Sequence, residues 1–288
     1  MKVLQSGIPK SGNVWVYRII NKVFEKSKIE RKSFIRNEKI YQIAKEWDLS
    51  ISDQVEKDVI DIENGRIYSR ISSIYKMPIK NPIDFLSRTN LVWTHSKYEL
   101  DSLAIYKNFS HHIYIYRDIR SVVVSMAHFL NFDYGKNFLD PNVTNPREYV
   151  NKNFYNFLFQ WSLHIEELLK VINSLNIHTI CFEDLKTNPQ VEIKKITEFF
   201  NLCLTTKQID EIAFDTSFSE MKKNDSKHLR SGSNNDWRNY VSSTKSFISN
   251  IYINYYFNCL KKKKTNRVSS FFILNLSKIF LIVEKISK

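Results

Sequence analysis

Short runs of apolar and β-branched residues recur along the chain at Val3–Leu4, Leu91–Thr94, His111–Tyr116 and Ile177–Phe182. Runs of this length without a polar face read as strands buried on both sides. Between them the spacing of apolar positions follows a helical period, over Val14–Phe24, Ile119–Phe129, Phe154–Ile172 and Val191–Phe200. In the last of these, Pro189 stands near the first turn, and Val191, Ile193, Ile196, Phe199 and Phe200 make an apolar stripe. Strands that alternate with helices predict an α/β fold, a single domain with a central parallel sheet flanked by helices. Ligands of such sheets bind beyond the carboxyl ends of the strands. Residues 27–90 and 131–150 show no clear period, and no internal repeat is visible. The domain is expected to cover residues 1–260, with residues 261–288 as a basic and apolar tail forming a helix.

The first strand runs directly into Gly7-Ile8-Pro9-Lys10-Ser11-Gly12-Asn13-Val14-Trp15, where the first helical pattern begins. A strand–loop–helix junction aims unpaired backbone N–H groups and the positive end of a helix at one spot, which suits phosphate or sulfate. The spacing Gly7-x-x-x-x-Gly12 copies the first half of a P-loop, but Asn13-Val14 stands where Lys-Ser/Thr would follow. The lysine lies inside the loop, at Lys10. The hydroxyl that would hold Mg²⁺ is lost, and a P-loop-like anion cradle survives.

Composition changes this picture little. The 288 residues are 43% hydrophobic and 14% aromatic, ample for a core. Cys181, Cys203 and Cys259 are scattered, odd in number and without metal spacing, which points to a reducing, cytoplasmic setting. No signal peptide is expected, because few residues precede Pro9, and no run of about 18 apolar residues is present to span a bilayer. The net charge of +13 is uneven: residues 261–288 hold eight basic residues against Glu284, a net +7, which leaves +6 for the rest. A mildly basic body suits an anionic cofactor and lacks the broad stripe of a nucleic-acid binder.

Three further clusters fall at strand ends. The strand ending in Tyr116 delivers Arg117, whose planar fork suits phosphate oxygens, and Ser125 follows eight residues on, within the next helix. On its own, Arg117 paired to Asp118 or another carboxylate is the simpler reading. Leu91-Val92-Trp93-Thr94 brings His95 to its carboxyl end, a general base suited to an alcohol at neutral pH. The third cluster comprises Asp215-Thr216-Ser217-Phe218 and the loop Arg230-Ser231-Gly232 leading to Asp236-Trp237, with a second arginine and a flexible backbone. His111, His112, His128, His164, His178 and His228 show no metal spacing and are read as structural.

In order and spacing these motifs resemble the sulfotransferase family that uses 3′-phosphoadenosine 5′-phosphosulfate (PAPS). That family carries Pro-Lys-Ser-Gly-Thr-Thr-Trp, a Thr/Ser-His strand, Arg-Asp-Pro-x-Asp-x-x-x-Ser, Tyr-Glu-Asp-Leu, Thr-Ser-Phe and Arg-Lys-Gly-x-x-Gly-Asp-Trp. Here the counterparts are Pro9 to Trp15, Thr94-His95, Arg117 to Ser125, Phe182-Glu183-Asp184-Leu185, Thr216-Ser217-Phe218, and Arg230-Ser231-Gly232 to Asp236-Trp237. The resemblance runs from about Val3 to about Cys259.

The resemblance implies transfer of a sulfuryl group from PAPS to a hydroxyl or amine, leaving 3′,5′-ADP, with no metal. Ser11, Gly12 and Asn13, with Val14 at the helix start, would hold the 5′-phosphosulfate. Arg117, Ser125, Arg230 and Gly232, with Ser231 between them, would hold the 3′-phosphate. Trp15, Phe182 and Phe218 would flank the adenine, with Thr216 and Ser217 at its polar rim. His95 would take the acceptor's proton, and Lys10 would neutralise the leaving phosphate oxygen. The family's threonines are here Asn13 and Val14, its lysine two residues before the histidine is Trp93, and the lysine of Arg-Lys-Gly is Ser231. Each such loss costs on the order of 1 kcal/mol of cofactor binding. Trp161 and His164, on an aromatic-rich helical pattern, are assigned to core and capping. Residues 27–90 and 131–150 would form the acceptor side, for a small-molecule, glycan or glycolipid acceptor that the sequence does not identify.

Two other readings stay open, a nucleotide-dependent kinase-like phosphotransferase and a catalytically weakened sulfotransferase-fold binding protein. In the tail, Lys261–Lys264 precedes the apolar run Phe271–Val283, too short to span a membrane. It is expected either to dock on the body or a second subunit, giving a homodimer, or to lie on an anionic membrane surface, at the inner face of the membrane.

Overall fold

The computed structural model describes residues 1–51, 53–225 and 236–286. Seven strands form one sheet: β1 (Val3–Ser6), β2 (Asp58–Glu63), β3 (Arg66–Ile71), β4 (Tyr75–Pro78), β5 (Leu91–Thr94), β6 (His111–Tyr116) and β7 (Ile177–Cys181), in the order β4-β3-β2-β5-β1-β6-β7. The five strands from β2 to β7 in that order pair in parallel, and β3 and β4 add antiparallel at one edge. The expected central parallel sheet is present, with an antiparallel hairpin added at its edge. The three strands β2, β3 and β4 lie inside the stretch that showed no period. Asp58-Val59-Ile60-Asp61-Ile62-Glu63 does alternate, and Asn64-Gly65 closes the hairpin to β3 with both residues left-handed (φ 50° and 70°), as a type I′ turn requires.

Successive residues of each strand point to opposite faces. Val3, Val59, Leu91 and Ile113 pack against the helices Asn13–Lys26, Pro189–Phe199 and Thr206–Asp215. Leu4, Ile60, Val92 and Tyr114 pack on the other side, against Pro146–Val171 and Ser243–Lys262. Helices therefore cover both faces, which is why the parallel strands read as unbroken apolar runs. Two local readings change. Phe182 opens a short helix, Phe182–Thr187, rather than ending β7, and Val191 is 51% exposed, so the stripe on Pro189–Phe199 rests on Ile193, Ile196 and Phe200. The last described element is a helix, Arg267–Ile286, lying along Pro146–Val171.

Candidate active site

β1 is the central strand, with β5 and β6 on either side, so the three loops leaving their carboxyl ends converge. The loop after β1 turns sharply at Lys10 (φ 69°) and Gly12 (φ 102°), and Gly12 caps the helix Asn13–Lys26. Gly12 is needed twice over: its backbone is left-handed, and a Cβ would lie 2.6 Å from the Phe182 ring. The Asn13 side chain is spent inside this loop, donating to the Ile8 carbonyl and accepting from Gln5 Nε2, each at 2.8 Å. Asn13 thus braces the loop with its amide group and offers a ligand its backbone N–H. The N–H groups of Asn13, Val14 and Trp15 form the first helical turn, where no intrahelical acceptor exists.

A cavity of about 600 Å³ opens over this junction. Lys10, Gly12, Asn13, Val14 and Trp15 line it from the first loop, Arg117 and Ser125 from beyond β6, and His95 from beyond β5. Phe182 and Phe218 line it as well. Trp15 and Phe182 meet edge to face at 5.7 Å, the Arg117 guanidinium lies 3.9 Å from the centre of the Phe182 ring, and Trp15 Nε1 is buried with no acceptor. Arg117 does not pair with Asp118. That carboxylate caps the helix Ile119–Asn131 and binds Arg120, while Arg117 donates to the Lys10 carbonyl at 3.2 Å.

The remaining site expectations fare differently. Ser11 is fully buried, its hydroxyl has no partner, and it does not line the cavity. Thr216 is buried and donates back to the Ile212 carbonyl, and Ser217 caps the helix Phe218–Asn224; neither lines the cavity. Both support the segment that presents Phe218. Arg230, Ser231 and Gly232 lie outside the described residues.

The site's electrostatics are dominated by cations. Burial, and then the Arg117 charge, hold the Lys10 ammonium down to about 7. Lys186, not anticipated from the sequence, lines the same cavity and is lowered by burial and by Arg117. His95 Nδ1 lies 2.6 Å from the Gly7 carbonyl, an acceptor only, so Nδ1 carries the proton and Nε2 keeps its lone pair. Burial lowers its pKa to about 3, against the raising effect of that hydrogen bond, and Arg70, His164 and Lys10 push the same way as burial. The ring is a neutral base at any physiological pH.

Two residues assigned to the core turn out to hold the site in place. Trp161 Nε1 donates to the Arg117 carbonyl at 3.1 Å, and His164 Nε2 lies 3.2 Å from the His95 carbonyl. Both sit three residues apart on Pro146–Val171, one helical turn, which is the signal that pairs them.

Beyond His95 the cavity wall turns apolar, through Ile51, Val59, Trp93, Phe129 and Leu139. Trp93 stands edge-on to the His95 ring at 5.2 Å. Ser73 and Tyr134 meet at 2.9 Å across the rim, so the stretches 27–90 and 131–150 close the site together. A second, polar cavity of about 580 Å³, lined by Asp61, Glu63, Lys97 and Glu99 among others, meets the first at Pro9, Arg70 and His95. Arg70 was missed because β3 was missed; the Asn64-Gly65 turn would have revealed it.

A family model described as a sulfotransferase domain matches residues 1–272, and the chain belongs to that family. It is therefore one of the enzymes that take their sulfuryl group from PAPS. Rat sulfotransferase 1A1 is 24% identical over 82% of this chain and 78% of its own. Zebrafish sulfotransferase 6B1 is 34% identical over a shorter stretch, 46% of this chain and 47% of its own. In fold, the chain is similar to mouse sulfotransferase SULT7A1 complexed with PAP, with a TM-score of 0.59 and 19% identity over 96% of this chain and 88% of that one. Retinol dehydratase in complex with androsterone and PAP aligns with a TM-score of 0.58 and 16% identity, over 88% of this chain and 79% of the other.

Proposed function

We propose that this chain transfers the sulfuryl group of PAPS to a hydroxyl of a small, largely apolar acceptor, with His95 as the general base. The observation that carries the proposal is the His95–Gly7 hydrogen bond. It fixes the tautomer whose Nε2 is free to take a proton, beside a loop built for an anion. The residues present suit the cofactor. The first-turn amides after Gly12 and the Lys10 ammonium would take the 5′-phosphosulfate, Arg117 and Ser125 the 3′-phosphate, and Trp15, Phe182 and Phe218 the adenine.

When bound, PAPS supplies a sulfuryl group whose bond to the 5′-phosphate breaks as a bond to the acceptor oxygen forms. His95 Nε2 accepts the hydroxyl proton, and the Gly7 carbonyl stabilises the imidazolium through Nδ1. Lys10, protonated beside an anion, offsets the charge left on the phosphate oxygen. Trp161 and His164 keep Arg117 and His95 aimed at one space by holding their carbonyls. The cavity walls exclude water around the transfer.

The polar cavity at His95 supports a second acceptor class, in which the sugar of a glycan or glycolipid lies among Asp61, Glu63 and Lys97. The three cysteines are free thiols, which suits a cytoplasmic setting.

Thermal stabilisation by 3′,5′-ADP, compared with 5′-ADP plus Mg²⁺, tests the cofactor. At about 100 times its Kd the 3′-phosphorylated nucleotide adds roughly 2.7 kcal/mol. Arg117→Ala should weaken it about tenfold to a hundredfold by removing charged hydrogen bonds. A preference for 5′-ADP with Mg²⁺ would favour the kinase-like alternative and sink the proposal. Turnover assays with phenols, steroids and glycosides then separate the acceptor classes, with His95→Ala as the inactive control.

A further inference from the structure

The terminal helix Arg267–Ile286 is built inside out. Ser270, Ser277 and Glu284, spaced seven apart and so on one face, are at most 9% exposed against the helix Pro146–Val171. Ser270 donates to the Glu166 carboxylate, and Glu284 accepts from the backbone N–H groups of Tyr155 and Asn156 at 3.3 Å each. Phe280 stacks on Tyr155 at 5.2 Å beside them. The opposite face carries Phe271, Phe272, Ile279, Ile282, Val283 and Ile286, between 54% and 80% exposed. A helix docked for the sake of the hydrophobic effect would turn these residues inward. Here Ile273 and Phe280 pack on the core beside small and hydrogen-bonding residues that hold the helix to the body, and an apolar surface broken only by Asn275 is left outside.

Charge says what covers that surface. The helix is preceded by Lys261, Lys262, Lys263 and Lys264, all exposed, and it carries exposed Lys278 and Lys285. Residues 261–288 hold a net +7. A second copy docked on this face would bring another +7 against the first, whereas an anionic bilayer neutralises it. Among the described residues no helix is long and apolar enough to cross a membrane. A helix with a strongly apolar face and lysines beside it lies in the plane of the interface. We propose that the outward face of Arg267–Ile286, with the lysines that precede it, is a docking surface for an anionic lipid bilayer, which would set the enzyme at the membrane surface.

The test is flotation of the full chain with vesicles of phosphatidylglycerol and phosphatidylcholine in equal parts, compared with phosphatidylcholine alone. Binding should be at least about tenfold stronger to the anionic vesicles and should weaken with salt. Phe272→Ser with Ile279→Ser, both on the exposed face, should lower vesicle binding about tenfold or more without shifting the thermal midpoint. Lys262→Gln with Lys264→Gln should lower it about tenfold while leaving 3′,5′-ADP binding unchanged. Absence of binding to the anionic vesicles would overturn the proposal. So would binding indifferent to both pairs of substitutions, or a dimer in sedimentation equilibrium that Phe272→Ser with Ile279→Ser dissociates. Because the nucleotide site is read separately by 3′,5′-ADP, a failure here leaves the assignment of the reaction standing.

Discussion

Binding of a phosphorylated nucleotide should draw a proton onto Lys10. In the free enzyme, burial and the neighbouring Arg117 hold that ammonium to about 7, so near neutral pH about half the molecules present a neutral amine to the cradle. A phosphate placed beside it restores the charged form. The affinity for 3′,5′-ADP then falls as the free lysine loses its proton, while the bound lysine keeps it. Worked through linkage, the loss is about fivefold between pH 7 and 8 and about fiftyfold between pH 7 and 9. Titration calorimetry in buffers of different ionisation enthalpy should show uptake of about half a proton at pH 7, rising toward one near pH 9. The second ionisation of the ligand's own phosphate, near pH 6, lies below this window. His95, lowered to about 3, adds nothing across it. Lys10→Arg keeps a charge throughout, so its profile should be flat. A Kd that changes by less than about threefold from pH 7 to 9 would refute the reasoning, and so would an equal slope in Lys10→Arg.

Other expectations follow from the same geometry. Gly12→Ala forces a left-handed Cβ to within 2.6 Å of Phe182, so the thermal midpoint should drop by the equivalent of about 1–3 kcal/mol and 3′,5′-ADP binding should weaken with it. The acid limb of kcat/KM in the wild type should lie well below pH 6.5, because His95 stays neutral there in the free enzyme; a limb near 6.5 would mean that burial does not govern this ring. His112 and His164, each buried and lowered to about 4, bind fewer protons folded than unfolded once the pH falls below 6.5. Stability should therefore decline from about pH 6.5 toward pH 4, by up to about 3 kcal/mol for each histidine, and thermal melts at a series of pH values would measure the decline.

The sequence carried four of the five parallel strands plainly, because strands buried on two faces leave unbroken apolar runs and their helices keep a 3.6 period, while β2 was hidden by the charged residues that alternate along it. It hid the antiparallel edge for a physical reason too. β3 and β4 lie at an edge, half in solvent, so Arg66, Arg70 and Lys76 interrupt any apolar run, and only Asn64-Gly65 marked the hairpin. Of the site, the anion-facing residues were legible because backbone geometry requires them: a glycine where φ is positive, and cations at strand ends. Side-chain direction was not. Asn13, Thr216 and Ser217 bear groups that suit a phosphate, yet each turns them to its own backbone neighbourhood, where a local hydrogen bond needs no ligand to form.

The terminal helix shows the same limit from the other side. Its composition states that much of its surface is apolar and leaves open which face meets the protein. Glu166, itself buried at 6% exposure toward the C-terminal end of Pro146–Val171, decides that. A buried carboxylate needs donors, Ser270 supplies one, and seven-residue spacing then brings Ser277 and Glu284 to the same side. Once that polar seam is fixed inward, rotation of the helix to hide Phe272 and Ile279 would leave the buried Glu166 without Ser270. The outward apolar face is thus the consequence of a hydrogen-bonded seam, and the lysines around it are what distinguish a lipid surface from a second protein as its cover.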